Sequence, residues 1–529
     1  MVVRRLETFL QDKVPNGYSN INIKDEIEKY FRDVDVASSP PKPIVVVATS
    51  SLIVKVCRSD TKAQLCGGRF QSVCTMLDNF FSKMTNLGVE LVFYVHEPLM
   101  EPKYKYWYQG LTEVVDCIDG GTDMAQLRKK NHYYPDIASY ANEVGAYAVL
   151  ACSSSYLIYE GRWRLWSTRD VDFDHLETME YNRSALLQTL NLNYRQMQLF
   201  AVLAGDDSLP YGQILKFQTR MAFIVSKNVQ SSLFTRFNQC HQREMENIAT
   251  TNTRHGSFSP SVMIDLLLKQ DDSFMYDVWV GQSINISAIH LDMRRREFGM
   301  LYPDLAISLT LRMAGIILYY KGVEECTQVH LYIKPKHEDE AVILKRNAIL
   351  PKDITPPSLP ELFSKEKEVY FALEDRKLQL YCWIGSETLN YQTLSSIPEQ
   401  LRVTAVTLYY LREKNIVQLF EADLLLQVAY DVIFESFKCQ DIQYPHRLDS
   451  RAFHVVFIFQ AVYYHFHQAV KRVGLDWASF RGYLPFDGVR FHMHYDYWKQ
   501  HKGNLEQIAP WRIYKHLLEH ASSNSEEVK

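Results

Sequence analysis

The chain has 529 residues and a mass of 61.8 kDa, which at about 150 residues per domain corresponds to roughly two to four domains. Apolar residues make up 47% and aromatic residues 13% of the chain, so it can bury large cores and is not mainly disordered. The 58 Lys and Arg residues are balanced by 62 Asp and Glu residues, and this net charge of −4 excludes a protein that coats nucleic acid by charge alone.

The cysteine pattern and the hydropathy indicate an intracellular protein. The nine cysteines form no CxxC pair, which argues against a disulfide framework and a structural zinc site. Residues 1–13 alternate charged and apolar side chains and lack the apolar core of a signal peptide. No apolar run reaches the roughly 18 residues that span a bilayer. We therefore expect a soluble protein of the nucleus, the cytoplasm or both, without a membrane partner.

The N-terminal part of the chain begins with a βαβ pattern. Ile44–Ala48 is a short run rich in β-branched residues, and Val89–Val95 is a second apolar run. Between them, Phe70–Leu87 has the apolar spacing of a helix. A strand, a long helix and another strand are typical of a parallel sheet with crossover helices.

The same pattern continues towards residue 220. Asp136–Glu143 is predicted to be a helix and Ala146–Cys152 a buried strand, followed over Leu186–Leu203 by helices around a turn at Asn191–Asn193. The sequence thus predicts a doubly wound α/β domain over residues 1–220, with a parallel sheet and helices on both faces.

The rest of the chain is predicted to be mainly helical. Residues 221–348 form a middle region in which Leu305–Tyr320 shows helical spacing. Four prolines in ILPKDITPPSLPELF mark residues 349–364 as a connector. A helical C-terminal domain follows over residues 365–525. Its clearest segments are two helices and an aromatic-rich stretch, at Leu401–Arg412, Ala422–Phe437 and Phe453–Val473.

Ligand sites of open α/β sheets lie beyond the carboxyl ends of the strands, so the residues there are the first functional candidates. They are Ala48, His96, Glu97, Ser153, Ser155, Asp206 and Asp207. Only the Asp206–Asp207 pair forms an acidic group. That pair is either a remnant of a single-metal site or a helix cap or turn, since Asp commonly serves both structural roles.

Four segments, in order, resemble the N-terminal PIN-like nuclease domain of the XPG and flap-endonuclease superfamily. They are MVVRRLETFL, VELVFYVHEP, AVLACSSSYLIY and LNLNYRQMQLFAVLAGDDSLP, within residues 1–215. Within the superfamily, the chain is most similar to the constitutive coactivator of PPAR-gamma-like proteins, with the asteroid proteins as second choice. LPFDGVRF, at Leu484–Phe491, resembles a Phe-Asp-Gly motif of that branch.

The resemblance implies a metal site that this chain has lost. Active members hold two divalent metals with carboxylates, which activate water and stabilise the leaving oxygen. Residue by residue, four of those positions fall on Ala48, His96, Ser153 and Ser155. Asp207 matches, with Asp206 beside it, and the helix before the third strand offers only Asp136. Since Ala and Ser cannot offset two Mg²⁺ charges, the resemblance implies a degenerate nuclease without a catalytic residue, a metal or another cofactor.

Two clusters interleave basic and aromatic residues, as single-stranded RNA sites do. The candidates for RNA contact in these clusters are Lys103, Lys105, Trp107, Arg162 and Arg164. A solvated face or the edge of a core is the alternative interpretation of each. His465, His467, His492 and His494 are more consistent with core or interface positions than with a metal site, because no Cys or second carboxylate motif accompanies them.

The sequence is compatible with three functions. The resemblance implies a catalytically inactive scaffold or coactivator that binds RNA and, through its C-terminal helical region, protein partners. The second function is a structure-specific nuclease with a rebuilt site of Asp136, Asp206, Asp207 and Glu97. The third is a purely protein-binding scaffold that docks its partner through the C-terminal helices.

Overall fold

The structure is a computed structural model that describes residues 6–33, 41–94, 134–194, 196–197, 273–286, 302–320, 327–333, 342–357, 361, 367–434, 444–445, 448–475 and 484–500. These residues form two compact units. The first unit contains residues 6–56, 77–94 and 134–197. The second unit contains residues 57–76 and the described residues from 273 onwards.

The first unit alternates helices and strands along the chain. Its helices, two of which continue into residues 57–76, are α1 (Leu6–Lys13), α2 (Ile23–Asp33), α3 (Thr49–Ser59), α5 (Phe70–Asn86), α6 (Tyr134–Glu143) and α7 (Arg183–Leu190), with a short 3-10 helix at Ser154–Ile158. Its strands are β1 (Tyr18–Asn22), β2 (Ile44–Ala48), β3 (Glu90–Tyr94), β4 (Ala148–Ala151), β5 (Arg164–Ser167) and β6 (Glu177–Tyr181).

The strands of the first unit form one sheet in the order β1-β6-β5-β4-β2-β3. The run β3-β2-β4-β5 is parallel, while β6 and β1 extend it in antiparallel fashion. The predicted α/β class with a parallel sheet is therefore confirmed. β1, β5 and β6 were not predicted, because β5 has only four residues and β1 and β6 consist largely of polar residues.

Helices cover both faces of this sheet, as predicted. Val46 and Ala48 belong to a core that also contains Leu10 of α1. Because side chains alternate along a strand, Val47 points to the opposite face, and so does its register partner Phe93. On that second face the ring centroid of Phe81 in α5 lies 4.8 Å from that of Phe93.

The second unit combines a small sheet with a large set of helices. Its strands are β7 (Ile284–Asn285), β8 (Gln328–Ile333) and β9 (Val342–Asn347), in the order β7-β8-β9. Its helices are α4 (Thr61–Leu65), α8 (Ser273–Val280), α9 (Tyr302–Tyr320), α10 (Lys367–Gly385), α11 (Tyr391–Ser395), α12 (Glu399–Glu413), α13 (Leu419–Phe434), α14 (Ser450–Arg472) and α15 (Gly488–Gln500).

One hydrophobic core joins the helices of the second unit. The ring of Phe466 in α14 contacts Tyr381 of α10 and Tyr410 of α12, and all three side chains are buried. The Tyr410 hydroxyl donates a 2.7 Å hydrogen bond to the carbonyl oxygen of Leu305 in α9. This arrangement confirms the predicted helical C-terminal region. The small sheet was not predicted, because the apolar spacing between residues 223 and 332 is mainly helical.

Residues 57–76 come from the N-terminal part of the sequence but pack within the second unit. The Arg69 Nε atom donates to Asp487 Oδ2 at 2.9 Å, and the backbone N–H of Gly488 donates to the carbonyl oxygen of Gly68 at 2.8 Å. The side-chain amide of Gln460 in α14 donates to the carbonyl oxygen of Gly67 at 2.6 Å. The Phe-Asp-Gly motif that includes Asp487 and Gly488 is thus a packing site for this segment.

The predicted domain boundaries stay predictions, and the one at residue 220 lies outside the described residues. Over the ranges that the structure describes, none of the helices has the length and hydropathy that a membrane span requires.

Candidate functional site at the carboxyl edge of the sheet

The carboxyl ends of three parallel strands meet at one edge of the large sheet. Val47 is the register partner of Leu150, and Ala151 is the register partner of Ser167. β2, β4 and β5 therefore end side by side, and the residues that follow them surround a common surface. In the degenerate-nuclease interpretation, this is the edge that would hold the metals.

Three residues at this edge, at the ends of β2 and β4, are neutral and engaged in packing. Ala48 is 1% exposed and carries no ligand atom. The Ser153 hydroxyl caps the 3-10 helix by accepting a 3.2 Å hydrogen bond from the backbone N–H of Ser155. Ser155 is itself only 1% exposed. These three positions, which the resemblance aligns with metal-binding carboxylates, therefore have no anionic ligand to offer.

The charged groups at this edge include Asp170, which follows β5, and an ion pair that the sequence did not reveal. Arg169 Nη1 lies 2.7 Å from both carboxylate oxygens of Glu7, and its Nη2 donates to the carbonyl oxygen of Cys152 at 3.3 Å. The Tyr181 hydroxyl donates to Glu7 at 2.9 Å. Burial and the Glu7 carboxylate raise the pKa of Tyr181, so its hydroxyl keeps its proton and remains a donor. The Arg169 guanidinium thus binds the residue that directly precedes Ser153 in the chain.

Of the remaining candidate residues for a nuclease site, only Asp136 lies within the described residues. Asp136 is exposed in the first turn of α6. His96, Glu97, Asp206 and Asp207 lie outside the described residues. Within the described ranges, no group of three or more His, Cys, Asp or Glu side chains is arranged to hold a metal ion.

The C-terminal histidines lie on helices. His492 and His494 are two residues apart on α15, so their side chains point about 200° apart around the helix and cannot ligate one ion together. Burial lowers the pKa of each to about 4. His465 of α14 forms a 2.5 Å hydrogen bond with the Tyr302 hydroxyl. These positions agree with the interpretation of the histidines as core residues.

The second basic and aromatic cluster divides into one exposed residue and several packed ones. Arg162 is exposed, and within the described ranges it forms no ion pair. Trp163 and Trp166 are 3% and 0% exposed, so neither ring can stack with a base in this structure. The Arg183 guanidinium lies 4.2 Å from the ring centroid of Trp163. Lys103, Lys105 and Trp107 lie outside the described residues.

Arg164 is held by two carboxylates. Its Nη1 lies 2.5 Å from Glu26 and its Nη2 lies 2.6 Å from Glu180, and the three side chains are about one-fifth exposed, at 24%, 22% and 19%. Nη1 also donates to the Tyr147 hydroxyl at 2.6 Å. A phosphate would have to displace one of these carboxylates to reach Arg164. The contact of this residue with RNA stays a prediction.

The fold places the chain in a broad class, the open and mostly parallel α/β sheets with helices on both faces, here combined with a helical C-terminal region. Sequence similarity to curated proteins gives a more specific comparison. Proteins named constitutive coactivator of peroxisome proliferator-activated receptor gamma, from Bos taurus, Homo sapiens and Mus musculus, are 20%, 21% and 22% identical to it over 253 residues. These matches confirm the predicted resemblance to the constitutive coactivators.

The shared region is limited. Each match covers 41% of this chain, and the matches cover 35%, 27% and 31% of the relatives, so the chain corresponds to about a third of the length of these proteins. No protein-family model matches the chain. Among solved structures, human GEN1 in complex with Holliday junction DNA covers 70% of this chain and 92% of its own, at 15% identity. Its TM-score is 0.26.

Proposed function

We propose that this chain is a catalytically silent PIN-like protein that binds single-stranded RNA and protein partners as a scaffold or coactivator, in the nucleus or the cytoplasm. One observation carries the proposal. Over the described residues, the carboxyl edge of the sheet presents Ala48, Ser153 and Ser155 at positions that the resemblance aligns with metal-binding carboxylates, and it places the Arg169 guanidinium next to Ser153.

Electrostatics at this edge supports the absence of metal-dependent cleavage. Two divalent ions need several carboxylates, because each carboxylate offsets part of the concentrated positive charge. Arg169 is permanently protonated and binds the Cys152 carbonyl, where it would repel a divalent ion beside β4. The Glu7 carboxylate forms an ion pair with Arg169, so its charge is already offset.

The partner part of the proposal has two supports. The curated relatives are named coactivators, and a coactivator works through protein partners. For RNA, the support is the basic and aromatic composition of the two clusters, of which Arg162 is the exposed member in the described ranges. The buried Trp163 and Trp166 limit this second cluster to contacts with the phosphate backbone.

Replacing Arg162 tests the RNA part directly. Arg162→Glu is expected to weaken binding of a labelled single-stranded RNA by about threefold to tenfold, because one phosphate contact is lost and a like charge is introduced. Binding is measured by fluorescence anisotropy over a salt series, in which the variant should also show a shallower salt slope. The thermal unfolding of the variant should match that of the parent chain, since Arg162 is exposed.

The matched control is Arg376→Glu, which makes the same charge change at an exposed residue of α10. It is expected to leave the RNA affinity within about twofold of the parent. Equal losses for both variants would mean that net charge alone governs binding. No loss for Arg162→Glu would remove this residue from the proposed interface.

A further inference from the structure

The outer strand of the small sheet, β9, has the features of a strand-binding edge. In the described residues it pairs only with β8, in an antiparallel register that runs from Gln328–Asn347 to Ile333–Val342. Four of its residues are exposed, among them Ile343 at 42%. Its length of six residues is enough to accept another strand.

The register shows which backbone groups of β9 point away from β8. The backbone N–H of Ala348 donates to the carbonyl oxygen of Thr327 at 3.0 Å, so these two residues form a hydrogen-bonded pair. Such pairs alternate along an antiparallel ladder, and the backbone groups of the residues between them point outwards. The outward-pointing N–H and C=O groups therefore belong to Ile343, Lys345 and Asn347.

The charge of this edge is positive. Lys345 and Arg346 are both exposed and lie on opposite faces of the strand. Within the described ranges neither side chain forms an ion pair, and Arg346 Nη1 donates instead to the outward carbonyl oxygen of Lys345 at 3.1 Å. Among the described residues, the outward strand-pairing groups of β9 have no partner strand, and the same edge carries two cationic side chains. β9 itself contains no acidic side chain.

We propose that β9 binds an extended acidic peptide segment of a partner protein, which adds a fourth strand to the β7-β8-β9 sheet. Backbone hydrogen bonds to Ile343, Lys345 and Asn347 hold the added strand, and acidic side chains pair with Lys345 and Arg346 on the two faces. An apolar side chain of the peptide covers the exposed part of Ile343.

The positive charge of β9 also disfavours pairing of this edge with β9 of a second copy of the chain. Antiparallel edge-to-edge pairing of two β9 strands would place either Lys345 opposite Lys345 or Arg346 opposite Arg346 of the other copy, depending on the register. Exposed Lys and Arg residues on edge strands prevent such pairing by like-charge repulsion. An acidic strand turns the same repulsive feature into an attraction, which makes the edge selective for its partner.

The test uses the full chain and a fluorescein-labelled peptide, SVTEEVTS, with two matched peptides. SVTKKVTS reverses the charge, and SVPEEPTS keeps the charge but cannot form the strand hydrogen bonds. SVTEEVTS is expected to bind at least about tenfold more tightly than either, as measured by fluorescence anisotropy. In hydrogen-exchange experiments, bound SVTEEVTS should protect the amides of Ile343, Lys345 and Asn347.

Variants of Lys345 separate the backbone contribution from the charge. Lys345→Gln is expected to weaken binding of SVTEEVTS by about twofold to fivefold, because only one exposed ion pair is lost. Lys345→Pro also removes an outward N–H that β8 does not use, and we expect a loss of about tenfold or more with the ladder intact. Lys352→Gln, a charge-matched change at another exposed lysine, should leave the affinity unchanged.

Three results would overturn the proposal. The first is equal affinity for SVTEEVTS and SVPEEPTS, which would show that no strand forms. The second is an affinity that Lys345→Pro does not change in a variant whose circular dichroism matches the parent. The third is binding of single-stranded RNA that Lys345→Gln weakens, without any binding of SVTEEVTS, which would assign the two charges to nucleic acid.

Discussion

Gly488→Ala is expected to destabilise the second unit by about 3 kcal/mol or more, which is a large fraction of the stability of an ordinary domain. A Cβ atom at this position would lie 2.0 Å from the carbonyl oxygen of Cys66 and 2.6 Å from its carbonyl carbon. Both are backbone atoms that cannot rotate away. Relief would require residues 57–76 to move off α15, which would break the hydrogen bond from Gly488 to Gly68.

The measurement is urea denaturation followed by far-ultraviolet circular dichroism. The matched control is Gly281→Ala in the same unit, where an added Cβ meets nothing within 4 Å and only the positive φ of 77° is unfavourable. That control should cost about 1 kcal/mol. If Gly488→Ala proved no more destabilising than Gly281→Ala, the packing of residues 57–76 against α15 would be wrong.

The Phe-Asp-Gly motif, residues 486–488, has a structural role in this packing. Phe486 is fully buried and packs against Phe459 and Phe491. Asp487 binds Arg69 and also caps α15 by accepting a 3.1 Å hydrogen bond from the backbone N–H of Arg490. Only glycine leaves room for the chain at the next position. The three residues therefore join a segment from the N-terminal part of the sequence to the C-terminal helices.

The free energy of unfolding of the second unit is expected to fall already at mildly acidic pH, because buried histidines titrate there in the unfolded chain. Burial lowers the pKa of His465, His492 and His494 from the usual 6.5 to about 4. Arg472 adds to this effect at His465 and Arg490 adds to it at His494, whereas Asp449 opposes it at His492. The three side chains are therefore neutral in the folded protein at neutral pH.

The direction of the pH effect follows from proton linkage. Below pH 6.5 the unfolded chain binds protons at these histidines and the folded chain does not, so the free energy of unfolding falls as the pH drops from about 6.5 to about 4. Above pH 6.5 the contribution is fully present. The loss is about 1.4 kcal/mol per pH unit for each histidine. At about pH 4 each histidine has therefore lowered the free energy of unfolding by about 3 kcal/mol.

Urea denaturation at a series of pH values between 7 and 4.5 measures this dependence. His492→Gln should reduce the slope by about one proton, because His492 is 1% exposed and its contribution is then removed. His175→Gln is the control, since His175 is exposed and its hydrogen bond to Asp172 raises its pKa instead. A free energy of unfolding that stays constant from pH 6.5 to pH 5 would contradict the burial of these histidines.

Much of the fold could be predicted from local patterns. Ile44–Ala48 is a strand over the predicted range, and the predicted helix at Phe70–Leu87 is observed at Phe70–Asn86. The first segment is a continuous run rich in β-branched residues and the second has the apolar spacing of a helix, and both are strong local signals. Strands such as β5 and β7 escaped prediction because they have four and two residues, which is too short for an apolar pattern to stand out.

The candidate site was predictable in its neutral residues but not in its charges. Ala48, Ser153 and Ser155 follow recognisable strands, so their place at the carboxyl edge could be inferred. Arg169 follows β5, which the sequence did not reveal, and its partner Glu7 lies 162 residues away. A spatial pair of this kind leaves no local pattern. For the same reason, the carboxylate partners of Arg164 could not be foreseen.

One assay tests the central claim most directly: the purified chain is incubated with labelled single-stranded RNA, with Mg²⁺, Mn²⁺ or EDTA, and both binding and cleavage are measured. For a catalytically silent RNA-binding protein, we expect bound and intact RNA, an affinity that falls with salt, and no effect of the metal ions beyond that of ionic strength. Metal-dependent cleavage that Asp207→Asn abolishes would contradict it and would establish a rebuilt nuclease site.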